Sequence, residues 1–296
     1  MPTARINGVN LHYEEHGAGT PLVFVHEFAG DVRSWEPQVR FFSRRYRTVL
    51  YNARGYPPSE VPADPGAYSP DAAALDLLGV LEHLALPPAH VVGFSMGGSG
   101  ALLAALRKPS ALRSLVVAGA GYGSMQDREA FQRDVEQVAQ RLLAEGMAPV
   151  ADVYARGPMR VQFLDKDPRG YREFHEQLRG GSALGHANTL RGVQKQRPTM
   201  RELEPRLREL RVPTLILTGD EDEPCLEPAL FMKRTIPSAA LVVMPQAGHT
   251  VNLEDPDAFN RHVQEFIGAV DSGRWRMRNP ASLSQSAVLP TQEVRR

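Results

Sequence analysis

A serine, a run of carboxylates and a histidine are the residues of this chain best suited to chemistry. Ser95 lies in Val91-Val92-Gly93-Phe94-Ser95-Met96-Gly97-Gly98, where an apolar run ends in Gly-x-Ser-x-Gly and a small-residue helical pattern follows. A serine on the sharp turn between a buried strand and a helix projects its hydroxyl outward. Gly93 and Gly97, lacking Cβ atoms, let the two elements approach. The N–H groups that open the helix face the same space and can stabilise an anion. Alone, the five-residue motif is weak evidence, because small residues cluster by chance. In a strand–turn–helix setting it marks a nucleophile.

A serine hydroxyl needs a base, and the base needs an orienting acid. Gly219-Asp220-Glu221-Asp222-Glu223-Pro224 places four carboxylates after one apolar run, and Gln246-Ala247-Gly248-His249-Thr250 places a histidine after the next. Three loops must therefore converge in space.

Their convergence requires strands that alternate with helices. Ile6-Asn7-Gly8-Val9 puts Asn-Gly between alternating residues, a preferred hairpin turn because both positions take φ > 0. Pro21-Leu22-Val23-Phe24-Val25-His26 is apolar without alternation, as a strand buried on both faces is. Residues 35–43 read as a short helix, 47–52 as a strand, and 112–118 as another strand. Ser69-Pro70-Asp71 opens a helix running to residue 84. The alternation stops over residues 122–211, a stretch of helical periodicity rich in Arg, Glu and Gln. It resumes with strands at 212–218 and 240–244 and helices at 227–235 and 256–270. The expected fold is α/β, a doubly wound, mostly parallel sheet. Residues 1–121 and 212–270 would form its core. Residues 122–211 would form a helical cap, inserted after the sixth strand over the carboxyl edge, where open α/β sheets bind ligands. Residues 271–296 read as a polar, flexible tail with Trp275 and Met277 as its anchors.

With these elements in place, the chain resembles the α/β-hydrolase superfamily over about residues 5–270, in its capped, cofactor-free branch of esterases, lactonases and C–C bond hydrolases. The order serine, acid, histidine is that superfamily's. The resemblance implies Ser95 as nucleophile and His249 as base. It implies Asp222, three residues past Gly219, as the acid, with Asp220 the second choice and Glu221 and Glu223 solvated. It also implies an oxyanion hole from the backbone N–H groups of Met96 and of Phe28, two residues past His26. Two stretches depart from the family pattern. The usual His-Gly-x reads His26-Glu27-Phe28, and the usual Asp-x-Arg-Gly-x-Gly reads Asn52-Ala53-Arg54-Gly55-Tyr56-Pro57. One expectation joins them: Glu27 replaces the missing aspartate as the partner of Arg54. The other reading puts Glu27 and His26 at the pocket rim, where Glu27 would select a cationic or hydroxylated substrate. His26 is expected to hydrogen-bond nearby backbone.

Composition narrows the remaining choices. A length of 296 residues suits one large α/β domain with an insertion. The formal net charge of +0 gives no global attraction to nucleic acid or an acidic membrane. A single cysteine, Cys225, excludes an intrachain disulfide and a multi-cysteine metal cluster. Neither metal nor cofactor is expected. The amino end enters a strand pattern with no apolar signal core, and no run is apolar and long enough to span a bilayer. A cytoplasmic monomer or homodimer is the expectation. In the cap, Gly180, Gly181, Gly185 and Gly192 read equally as hinges or helix ends. Met125, Phe131, Met147, Tyr154, Met159, Phe163 and Leu164 are the apolar choices for lining a pocket, most of them expected in the cap's own core.

The expected activity is that of a serine hydrolase cleaving a small carboxylic ester or lactone through an acyl-enzyme on Ser95. The same triad would serve a C–C bond or amide hydrolase or a perhydrolase, and a degenerate triad would leave a small-molecule receptor. A serine at this turn argues against haloalkane dehalogenases and epoxide hydrolases, whose chemistry forms an alkyl ester on an aspartate.

Overall fold

The computed structural model describes residues 2–125 and 127–283. Asn7 and Gly8 take φ of 46° and 81° and turn β1 (Thr3–Ile6) back on β2 (Val9–His16) as an antiparallel hairpin. Six further strands follow: β3 (Pro21–Val25), β4 (Arg47–Tyr51), β5 (Ala89–Phe94), β6 (Leu112–Ala118), β7 (Thr214–Gly219) and β8 (Ala239–Met244). The sheet order is β1-β2-β4-β3-β5-β6-β7-β8. β2 meets β4 antiparallel, and every pairing from β4 through to β8 is parallel. β3, β5 and β7 are buried along their whole length, which is why their sequences are apolar without alternation.

Helices cover both faces. α1 (Glu36–Phe42) lies on one face together with α12 (Pro256–Asp271) and brings Trp35, Phe42, Phe259 and Val263 into a single apolar layer. α2 (Pro70–His83), α3 (Met96–Arg107), α9 (Met200–Glu209) and α10 (Glu223–Thr235) lie on the other, with Leu77, Leu102, Leu203 and Met232 inside. Ser69 caps α2 through its side chain, with proline at the first helical position. α10 begins four residues before the expected 227, because Pro224 sits in its first turn, where a missing N–H costs nothing.

Between β6 and β7 the chain builds the helical cap: α4 (Arg128–Glu145), α5 (Met147–Tyr154), α6 (Val161–Lys166), α7 (Pro168–Arg179) and α8 (Ala183–Thr189). α8 runs on into a π-helical turn, Leu190–Gln194. α11 (Val251–Glu254) is a short turn of helix after β8. The cap has an apolar core of its own, and Phe28, Tyr56 and Met96 of the sheet's carboxyl edge are part of it.

Trp275 anchors the segment after α12 as expected, with its indole N–H on the Ser238 carbonyl at 2.8 Å and its ring 4.6 Å from that of Phe266. Met277 does not, being exposed. Arg278 instead donates to the Lys233 and Arg234 carbonyls. The rest of the expected tail, residues 284–296, lies outside the described residues.

Cap and core meet backbone to backbone at Gly185, where a Cβ would overlap the Gly55 carbonyl, whereas Gly268 on α12 has open space at the same position. Gly185→Ala should therefore lower the unfolding free energy by roughly 1–3 kcal/mol through overpacking. Gly268→Ala should raise it by about 0.5–1 kcal/mol through helix propensity. Urea denaturation of the two variants beside the parent checks both signs.

Candidate active site

Ser95 sits between β5 and α3 with φ 52° and ψ −111°, a left-handed conformation that L-residues rarely adopt. Its N–H is held by the Ala118 carbonyl at 2.8 Å, and its own carbonyl receives Ser99 N–H at 3.0 Å. A Cβ on Gly93 would collide with Gly97 and Gly98 backbone, and one on Gly97 with the Val25 and His26 carbonyls. The glycine spacing of the sequence motif is therefore a steric requirement of this turn.

His249 Nε2 lies 3.0 Å from Ser95 Oγ, and its Nδ1 lies 2.8 Å from Asp222 Oδ2. Nδ1–H donates to the carboxylate, so the Nε2 lone pair faces the serine hydroxyl (a tautomer assigned from the hydrogen bonds). Both His249 and Asp222 are buried. Asp220 points elsewhere: its Oδ1 accepts Ala247 N–H at 3.0 Å, and backbone amides of Gln246 and Ala247 hold its carboxyl below the usual range. Asp222 alone of the two faces His249. Glu221 and Glu223 are exposed. Glu254, which the sequence reading passed over, accepts the N–H groups of Gly248 at 2.7 Å and Thr250 at 2.9 Å and so brackets the histidine from both sides.

The loop after β3 carries the other half of the site. Neither the Phe28 nor the Met96 N–H donates to a described residue. The Phe28 carbonyl is fixed by the Tyr56 hydroxyl at 3.0 Å. His26 accepts Ala53 N–H at Nε2 (3.0 Å) and donates from Nδ1 to the Glu27 carbonyl (2.7 Å). Both of its nitrogens are spent on backbone, and burial pushes its pKa down. The rim placement of His26 and Glu27 is corrected: both are buried, and neither lines the cavity. The expected Glu27–Arg54 pair is also absent. Arg54 is held by Asp76 of α2 through two 2.7 Å bonds, an acid on that helix's apolar face. Asn52 uses its amide on Val32 N–H and the Pro57 carbonyl. Glu27 instead pairs with Arg160, which immediately precedes α6 in the cap, at 2.5 Å. Glu27 Oε2 also comes within 4.0 Å of His249 Nε2. No local signal links residues 133 positions apart.

Ser95 and His249 open on a cavity of about 370 Å³ with mostly apolar walls. Of the residues expected there, Phe131, Tyr154 and Met159 line it, while Met147 and Phe163 belong to the cap's core. Leu164 is exposed and Met125 packs on the sheet side. Gly185 and Gly192 serve close packing against Gly55 and Tyr68 backbone. Among the described residues, one group has donor atoms close enough for a metal, namely Asp222, Cys225 and His249. Two of these already share a hydrogen bond, and burial pushes the Cys225 thiol up, which keeps it a neutral, poor ligand.

Residues 20–256 match the alpha/beta hydrolase fold family. The chain is an α/β hydrolase. It is 26% identical over 268 residues to 3-oxoadipate enol-lactonase 2 of Acinetobacter baylyi, covering 90% of this chain and 96% of the lactonase. It is 26% identical over 268 residues to 2-hydroxy-6-oxo-6-phenylhexa-2,4-dienoate hydrolase of Burkholderia cepacia, covering 88% and 92%. A thermophilic esterase from Thermogutta terrifontis, solved with malate bound, superposes with a TM-score of 0.82 at 27% identity, over 91% of this α/β hydrolase and 99% of the esterase. These relatives support a hydrolase function. No helix among the described residues is long and apolar enough to cross a membrane.

Two expectations follow from the buried charges of this hydrolase. Arg160→Met would strand Glu27 in the interior and should cost about 3–5 kcal/mol, and Glu27→Gln added to it should restore a large part. A urea-denaturation double-mutant cycle reads both steps. His186 of α8 lies 5.1 Å from the Phe28 ring, and burial lowers its pKa from 6.5 to about 4. The unfolded chain therefore binds this proton first as pH falls, so the stabilisation, complete above pH 6.5, is lost toward pH 4. The urea midpoint should decline over that window, with a shallower slope in His186→Gln.

Proposed function

We propose that this chain is a serine hydrolase that cleaves a small carboxylic ester or lactone through an acyl-enzyme on Ser95. The observation that carries the reading is the continuous hydrogen-bond line Ser95–His249–Asp222 at 3.0 and 2.8 Å on the wall of a mostly apolar cavity. Ser95 Oγ attacks the substrate carbonyl while His249 Nε2 takes its proton. Asp222 keeps the imidazole in the required tautomer and favours the imidazolium that forms. The Phe28 and Met96 N–H groups receive the oxyanion, a contribution of about 10²–10³ per donor. His249 then gives the proton to the departing oxygen, and a water attacks the acyl-enzyme by the same route, returning Ser95. Glu27 Oε2 lies 4.0 Å from His249 Nε2. Arg160 neutralises that carboxylate so that its charge does not oppose the oxyanion.

The lactonase and esterase among the relatives support the ester bond as the target. The dienoate hydrolase keeps a C–C bond as the second reading. A fluorophosphonate probe followed by intact mass should label the parent and leave Ser95→Ala unlabelled. Asp222→Asn should lower kcat on a labile ester by about 10⁴. Asp220→Asn, whose side chain holds backbone, should stay within roughly tenfold. Labelling without turnover of any ester or lactone would move the reading to the C–C or amide bond. No labelling would favour a receptor.

A further inference from the structure

Three arginines are buried among the described residues: Arg54, Arg160 and Arg197. The first has Asp76 and the second Glu27. Arg197 has no acid. It lies just past the π-helical turn and lines the same cavity as Ser95 and His249. Its guanidinium donates to the Gln194 side chain and the Tyr122 carbonyl, and its carbon sits 5.4 Å from the centre of the Phe131 ring. Nε–H has no partner among the described residues. Burial lowers its pKa to about 10, with Arg128 adding to the effect, and it stays charged at neutral pH. The one carboxylate on the cavity wall, Asp134, is exposed and forms no ion pair among the described residues.

A buried guanidinium without an anion is costly, and an anion delivered with a hydrogen-bond acceptor removes much of that cost. The cavity that Arg197 lines also offers Phe131, Val135, Val150, Met159 and Leu190, surfaces that suit carbon chain. We propose that Arg197 is the subsite for a free carboxylate on the substrate, so that the enzyme selects small esters or lactones bearing one carboxylate separated by apolar carbon from the bond that is cleaved. This rests on the serine-hydrolase reading for the bond, though not for the anion. Arg197 is then a specificity residue, and a merely structural arginine would not tell charged from neutral substrates apart.

The test uses a matched pair, the p-nitrophenyl half-ester of glutaric acid and its methyl ester, in the parent, Arg197→Met and Arg197→Lys. The parent should prefer the half-ester in kcat/KM, mostly through KM. Arg197→Met should lose roughly 10- to 100-fold on the half-ester, the scale of a charge-assisted hydrogen bond, and less than about threefold on the methyl ester. Arg197→Lys should keep part of the preference. The ratio within each variant is insensitive to how much of it folds. Equal losses on both substrates, or a parent that prefers the methyl ester, would overturn the proposal. Glutarate binding to Ser95→Ala, read by calorimetry, separates the two readings. Binding that vanishes on adding Arg197→Met upholds the anion subsite even if neither ester turns over. Binding indifferent to Arg197, or none at all, overturns it.

Discussion

The contact that the site depends on is the seat of α3 against the ends of β3 and β5. Gly97 lies so close to the Val25 and His26 carbonyls that no side chain fits, and Gly93 lies as close to Gly97 and Gly98. That approach bends the chain through Ser95 at positive φ and leaves its hydroxyl within reach of His249 on the cavity wall. Backbone strain of this kind costs on the order of 1–3 kcal/mol and persists only where the surroundings determine it. Here they do so from several directions: the Ala118 carbonyl on Ser95 N–H, the Tyr56 hydroxyl on Phe28, and His26 bonded at both nitrogens.

Around this rigid turn lie buried charges that are individually expensive. Asp222 is tolerated because His249 uses it. Glu27 is tolerated because Arg160 reaches it from the cap, and Arg54 because Asp76 grips it with both oxygens. Each pair gives up hydration that the attraction only partly restores, so none of them is a strong argument for stability. What they secure is placement, since each carboxylate has one arrangement in which it is not stranded.

The sequence made legible whatever was local. The Asn7-Gly8 turn, the apolar strands, the glycines around Ser95 and the loop positions of Asp222 and His249 all report on residues a few positions away. The carboxylate that meets His249 was legible only down to two, because Asp220 and Asp222 both follow β7. Geometry separates them: Asp220 is drawn to the 246–247 backbone and Asp222 opens α10 beside His249. The partner of Glu27 was not legible at all. Charge neutralisation in the interior works through space, and the nearest arginine in an aligned motif, Arg54, was already taken. Asp76 did carry a signal, an acid within the leucine-rich stripe of α2, which is a position that a helix leaves charged only when something neutralises it.

Glu27 also explains why a loop that usually carries glycine accepts a charged residue here. Glycine relieves crowding, but the Glu27 and Phe28 carbonyls are already held by His26 Nδ1 and the Tyr56 hydroxyl, so the freedom glycine would bring has no use. The side chain then contributes what glycine lacks, a bond to the cap. Arg160 also lies against the Tyr154 and Phe174 rings, at 5.5 and 5.1 Å, so the ion pair is continuous with the cap's aromatic core. The loop after β3 and the cap are thereby joined through one buried bond, and the charge beside His249 is balanced only while that bond holds. In this fold the departure from glycine turns a spacer residue into a joint between the two layers that enclose the cavity.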